Sequence, residues 1–145
     1  MINKTNMKPH FALFFLGCAA FLLAACGGTS AAAQDRPAVQ LTVEGLDTLQ
    51  FTPSQTSIPA ETEVDLTFNN VGKLEHNFIL AAAEVDPFTL SEADALAGIN
   101  TGVLAGGEST SLTFVAPPTG TDTFGCVVPG HAAAGMVGTL TVTDP

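Results

Sequence analysis

Short runs in which apolar and polar residues alternate dominate the chain after position 38. In "VQLTVEG", Val39, Leu41 and Val43 alternate with Gln40, Thr42 and Glu44, and "TEVDLTFNN" repeats the pattern with Val64, Leu66 and Phe68. "TSLTFV" sets Leu112 and Phe114 on one side, and "GTLTVT" does the same with Leu140 and Val142. A period of two sends successive side chains to opposite faces, so each run predicts a half-buried β-strand. Proline and glycine punctuate the runs, and the whole predicts an all-β antiparallel sandwich or barrel. "LSEADALAG" breaks the pattern. Ser91 is placed to cap a short helix and Gly98 to end it, so one helical element is expected in the connecting segment.

The parity of the strands also aims side chains. In "EHNFIL", His76 shares a face with Phe78 and Leu80; in "DTFGC", Cys126 shares a face with Phe124. Both therefore point inward with the bulky apolar residues. Taken singly, an inward histidine is usually a hydrogen-bonded core residue, an inward cysteine a small hydrophobe, and a methionine near a strand start packing.

The N-terminus follows a different pattern. "MINKTNMKPH" carries Lys4 and Lys8, and an apolar run of about 16 residues follows, short of the roughly 20 that a membrane span needs. A basic start, a short apolar run and small residues before a break describe a secretory signal over residues 1–25. An uncleaved anchor helix is the alternative. The break, "LAAC" from Leu23 to Cys26, resembles the lipobox of bacterial lipoproteins, in which cleavage precedes a cysteine that is then acylated. Cys18 fits less well, with Phe15 three residues before it. Residues 26–38 then read as the lipidated Cys26 and a flexible, small-residue tether whose typical reach is about 20 Å. The domain proper is expected over residues 39–145.

Processing at Cys26 changes the composition. Cys18 is lost and Cys26 carries lipid, so Cys126 stands alone, whereas exported domains normally pair their cysteines. A lone thiol in an oxidising compartment needs protection or a task. His10 also leaves, and the remaining histidines are His76 and His131. Arg36 and Lys73 face 14 acids, a formal charge of −12, which excludes nucleic acid as a partner and leaves basic proteins or simple solubility. Of ten phenylalanines, Phe11, Phe14, Phe15 and Phe21 lie in the leading run, leaving six for the domain core.

The stretch "CVVPGHAAAGM" answers what the lone thiol is for. Cys126, His131 and Met136 lie within one loop that Pro129, Gly130 and Gly135 allow to turn, and a strand follows at once. His76 joins them from 50 residues upstream. A thiolate, two imidazoles and a weak thioether make up the ligand set of a blue-copper electron-transfer site. The same residues resemble the cupredoxins, the plastocyanin and azurin family: "HNF" matches the upstream His-Asn, and "CVVPGHAAAGMVGTLTV" the C-terminal ligand loop and strand. Within that family the chain is most similar to the membrane-tethered auracyanin type. Its loop reads C-x4-H-x4-M, one residue longer between His131 and Met136 than in azurin.

The resemblance implies a Greek-key cupredoxin sandwich over roughly residues 39–145, one type 1 copper cycling between Cu(I) and Cu(II), and His76, Cys126 and His131 as equatorial ligands. It implies Met136 as the axial ligand and Asn77 as a hydrogen-bonding brace of the ligand loop. The expected function is that of a monomeric single-electron carrier rather than an enzyme. It would be exported and lipid-anchored on a periplasmic or extracellular membrane face. Expected partners are redox proteins such as a cytochrome c, a quinol-oxidising complex, a reaction centre or a terminal oxidase. A copper-trafficking module is the alternative, although carriers that hand copper on usually expose several Met or Cys residues. A copper enzyme would need a second metal centre, for which two histidines do not suffice. A Cys-His hydrolase would lack an orienting partner beyond Asn77 and leave Met136 without a role.

Overall fold

The computed structural model describes residues 38–145. The leader, Cys26 and most of the tether lie outside the described residues. Nine strands follow in order: β1 (Val39–Leu46), β2 (Gln50–Thr52), β3 (Gln55–Pro59), β4 (Glu63–Asn70), β5 (Ile79–Ala81), β6 (Ala95–Asn100), β7 (Ser109–Val115), β8 (Gly120–Gly125) and β9 (Val137–Thr143). They form one four-stranded sheet ordered β2-β1-β4-β7 and one five-stranded sheet ordered β3-β9-β8-β5-β6. Among the described residues no helix is long and apolar enough to cross a membrane.

The sheets are mixed rather than purely antiparallel. β1 pairs in parallel with β4, and β3 with β9. After β2 the chain passes to the second sheet as β3 and then returns as β4, so β4 runs in the same direction as β1. Alternation is kept where one face is solvated: Val64, Leu66 and Phe68 of β4 are buried, with half-exposed residues between them. In β5 all three residues are buried. Leu80 belongs to the main core between the sheets, while Ile79 and Ala81 face a second apolar cluster with Leu90 and Ala132.

Four phenylalanines make the centre of the main core. Phe51 meets Phe68, Phe78 and Phe124 edge-on at ring-centroid distances of 6.2, 6.2 and 5.3 Å, and Phe78 stacks on Phe124 at 5.2 Å. Offset and edge-on arrangements are those favoured by the ring quadrupole. The expectation of a six-phenylalanine core is thereby corrected. Phe114 is only partly buried, because β7 is an edge strand, and Phe88 is 55% exposed.

The helical stretch is shorter than its sequence pattern predicts. Two 3-10 turns form, at Pro87–Thr89 and Glu92–Asp94. Ser91 does mark the start of the second: its N–H and its hydroxyl both donate to the Asp94 carboxylate, at 2.8 and 2.7 Å. Instead of continuing to Gly98, the chain extends at Ala95 into β6 beside β5. Leu96 and Ile99 are three residues apart, a helical spacing, yet both pack on the core. Left-handed φ values at Ala97 (43°) and Gly98 (77°), with a register irregularity in the ladder, re-aim the strand between them. Leu90 closes this segment onto the sheet, seated over Gly125, where any Cβ would run into it.

Asp122 of β8 provides a test of burial on this side. Its carboxyl is held above the ordinary value by burial and by the charge of Glu84, partly offset by the Ala83 N–H. A raised folded-state value means that the folded protein loses stability as pH rises through the window above 3.8. Asp122→Asn should therefore raise the melting temperature at pH 7, with the gain vanishing at pH 3, where the wild-type carboxyl is protonated too. Equal melting temperatures of variant and wild type at pH 7 would show that the buried charge costs nothing.

Candidate metal centre

The ends of β1, β4, β6 and β8 and the start of β9 converge at one end of the sandwich. Cys126 follows β8 directly, and the loop from Val127 to Met136 returns the chain to β9. The loop is closed by its own backbone: the Cys126 N–H donates to the Met136 carbonyl at 3.1 Å, and the Met136 N–H to the His131 carbonyl at 2.9 Å. The Gly135 N–H reaches the Ala132 carbonyl at 2.8 Å. Gly130 and Gly135 adopt φ of 88° and 98°, conformations that side chains with a Cβ rarely take. His76 enters separately, from the segment between β4 and β5, through an isolated antiparallel bridge to Leu104.

These elements bring three donors together. The coordinating atoms of His76, Cys126 and His131 all lie within 4.8 Å of one another. Nδ1 of His76 is 3.2 Å from Nδ1 of His131, and Sγ of Cys126 is 3.4 Å from the same His131 nitrogen. His76 and Cys126 are fully buried, whereas His131 is half-buried. Met136 is also fully buried and is tied through its backbone to both Cys126 and His131.

Asn77 links the two halves of the site. Its Oδ1 accepts the Val127 N–H at 2.8 Å, and its own N–H points at the Cys126 sulfur at 3.4 Å. Asn100, which the sequence reading missed, stands behind it: its Oδ1 lies 3.5 Å from the Asn77 amide nitrogen and accepts the Gly102 N–H at 2.9 Å. Also unforeseen is the burial of Ala132, which belongs to the second apolar cluster with Ile79 and Leu90. In "HAAAG" nothing local distinguishes it from the exposed Ala133 and Ala134.

The electrostatics suit a cation that accepts lone pairs. Burial pushes the Cys126 thiol up, only partly opposed by the Asn77 and Val128 N–H groups, so the metal-free sulfur keeps its proton at neutral pH. Burial and repulsion from His131 hold His76 below its ordinary value, despite Asp47 and the Leu46 carbonyl, which leaves its imidazole neutral. Nε2 of His76 is buried without a hydrogen-bond partner. Two imidazole nitrogens and a thiol aimed at each other cannot all satisfy one another with protons. A soft or borderline metal ion would satisfy all three, and two imidazoles with one thiolate favour copper over the hard cations.

Residues 37–143 match the family of copper-binding proteins described as plastocyanin/azurin. The chain belongs to this family. Its residues fit the single type 1 copper of a cupredoxin. Among curated relatives, auracyanin-B of Chloroflexus aurantiacus is 39% identical over 135 residues, covering 80% of this chain and 57% of the relative. The copper-resistant cuproprotein CopI of Rubrivivax gelatinosus is 29% identical over 101 residues, covering 66% of this chain and 61% of the relative. This cupredoxin thus spans about three-fifths of the length of either. A solved auracyanin B structure superposes with a TM-score of 0.63 at 36% identity, covering 75% of this chain and 91% of that one. The reduced auracyanin of Roseiflexus castenholzii superposes with a TM-score of 0.65 at 23% identity, covering 74% and 99%, which shows the shared fold.

Proposed function

We propose that the protein is a blue-copper electron carrier, with His76, Cys126 and His131 holding one copper and Met136 as its weak axial donor. The observation that carries this reading is the convergence of two imidazole nitrogens and one buried thiol within 4.8 Å, at one end of the two-sheet sandwich. A copper in such a site supplies a one-electron couple. The chain's part is to keep the donors in place through the change of charge, to exclude water from the buried sulfur, and to expose one edge of the site. His131 is the exposed edge, flanked by solvent-facing Pro129, Gly130, Ala133 and Ala134. Val71, Leu74 and Val103, each about half-exposed, occupy loops at the same end of the sandwich. Small and apolar residues let a partner's cofactor approach closely, and a small interface releases it quickly.

The surroundings suggest which partners fit. Lys73 is the only Lys or Arg among the described residues, so a basic redox protein would be drawn to this domain. Stopped-flow mixing of the reduced, copper-loaded protein with a basic c-type cytochrome should show transfer of one electron per copper. The rate should fall steeply with added salt. Transfer that is absent, or indifferent to salt, would remove this reading. The name of the CopI relative motivates a second reading, copper handling. A carrier that passes its copper on would lose it to a Cu(I) chelator within minutes, whereas a buried electron-transfer site should retain it.

Export and anchoring through acylated Cys26 form part of the proposal. Two or more acyl chains give stable membrane attachment, so Cys26→Ala should move the protein to the soluble fraction or block its processing. An unmodified Cys26 thiol in the wild-type protein, measured by mass spectrometry, would sink the anchoring.

A further inference from the structure

Of the three strong donors, Cys126 and His131 share a loop that is closed by its own hydrogen bonds, so their separation is set locally. His76 is different. It follows a segment, residues 71–75, that belongs to no strand. Asn77 ties it to the ligand loop on its C-terminal side, while on its N-terminal side its place depends on how that segment is held. We propose that Asn70, the last residue of β4, is the positioning residue that sets His76 against the metal and thereby tunes its reduction potential. This rests on the copper reading above.

Asn70 is 1% exposed, and both its side-chain nitrogen and its oxygen are hydrogen-bonded. Nδ2 donates to the Leu74 carbonyl at 2.7 Å and to the Leu104 carbonyl at 3.0 Å, and Oδ1 accepts the Gly72 N–H at 3.1 Å. Leu104 is also the bridge partner of His76: the His76 N–H donates to the Leu104 carbonyl at 3.1 Å, and the Leu104 N–H to the His76 carbonyl at 2.8 Å. One carbonyl therefore receives both Asn70 and His76. Asn70 itself is anchored by its backbone, donating to the Glu108 carbonyl at 2.9 Å and accepting from Gly107 at 2.8 Å. A single amide thus ties the end of a core strand, the segment leading to His76, and the strand-like residue beside it. From the solvent side, the Asp47 carboxylate accepts the Lys73 and Leu74 N–H groups at 2.7 and 3.0 Å and steadies the same segment.

Removing the amide leaves the Leu74 carbonyl without its donor and frees the segment to drift from Leu104. His76 then loosens relative to Cys126 and His131. An imidazole is a harder donor than a thiolate or a thioether and favours Cu(II), so weakening it should raise the reduction potential.

The test uses Asn70→Ser, which keeps one hydroxyl donor, Asn70→Ala, and the exposed Asp47→Ala, which leaves the buried amide intact. Leu140→Ala, a cavity in β9 of the core, serves as a control that destabilises without touching the segment. Voltammetry and electron paramagnetic resonance are run on the copper-loaded proteins, and amide hydrogen exchange on the metal-free ones. Asn70→Ala should weaken Cu(II) relative to Cu(I) about tenfold, an upward shift of about 59 mV for one electron. It should also change the copper hyperfine splitting and speed exchange at the His76 and Leu104 amides selectively. Asn70→Ser and Asp47→Ala should shift less in the same direction, and Leu140→Ala should leave the potential unmoved. Unchanged potential and hyperfine splitting in both Asn70→Ala and Asn70→Ser would overturn the proposal whatever Asp47→Ala does, as would an equal shift in Leu140→Ala. A wild-type protein that takes up no copper would instead overturn the copper reading, while the exchange at His76 and Leu104 would still report on the clamp.

Discussion

Serine in place of Cys126 is expected to abolish the intense visible absorption of the copper-loaded protein while leaving the sandwich folded. The band of a blue site arises from charge transfer between a thiolate and Cu(II), and among the described residues no other sulfur can supply it. Met136 is a neutral thioether, and no other cysteine lies among the described residues. The fold should survive because the substitution is nearly isosteric and the Asn77 N–H already points at this position at 3.4 Å. A buried hydroxyl without a partner costs about 1–3 kcal/mol, and a donor in place keeps the cost at the lower end. Far-ultraviolet circular dichroism should remain that of a β protein while the visible spectrum is lost. A serine variant that stays blue would remove Cys126 from the ligand set.

The strands that can be read from sequence are those with one wet face. β1, β4, β7 and β9 alternate because one side of each meets the core and the other meets water. β5 does not alternate, since Ile79 and Ala81 are buried on the outside beneath Leu90. β3 offers a single buried apolar residue, Ile58, and β2 has only three residues, too few to show a period. β6 imitates a helix because a bulge, not a helical turn, brings Leu96 and Ile99 to the same side.

The site divides along the same line. Cys126, His131 and Met136 are close in sequence and are punctuated by glycine and proline, so local chemistry marks all three as candidates; the structure brings Cys126 and His131 together with His76. His76 is legible because it stands two residues before Phe78 in an apolar run that packs inward. Strand parity does not place it: the strand begins only at Ile79, His76 is held by an isolated bridge, and residues 76–80 are all buried. Asn70 is not legible, because an asparagine two residues before a glycine reads as an ordinary turn former. Its burial and its bond to the Leu104 carbonyl depend on a contact 34 residues away. Pairings of that range arise only when the two sheets close.

Met136 is where a substitution should alter function most with least disturbance of structure. Its backbone serves the loop in any case, accepting from Cys126 and donating to His131, so a change of side chain leaves those bonds in place. Met136→Leu keeps nearly the same volume in a fully buried position and should cost less than about 1.5 kcal/mol of stability. If Met136 serves the copper, what the change removes is a soft sulfur donor of the weak kind that would tune the metal more than hold it. Losing any electron-pair donor, soft or hard, lowers the coordination number, which the more highly charged Cu(II) tolerates less well than Cu(I), so the reduction potential should rise. Each tenfold change in their relative binding corresponds to about 59 mV for a one-electron couple. Copper should stay bound, because His76, Cys126 and His131 remain within 4.8 Å of one another. Met136→Gln supplies a harder oxygen donor in the same place and should lower the potential instead. Opposite shifts in the two variants would assign the thioether to the metal. Potentials unchanged in both would place Met136 in the core alone, packing beneath the loop and leaving copper to the three remaining donors.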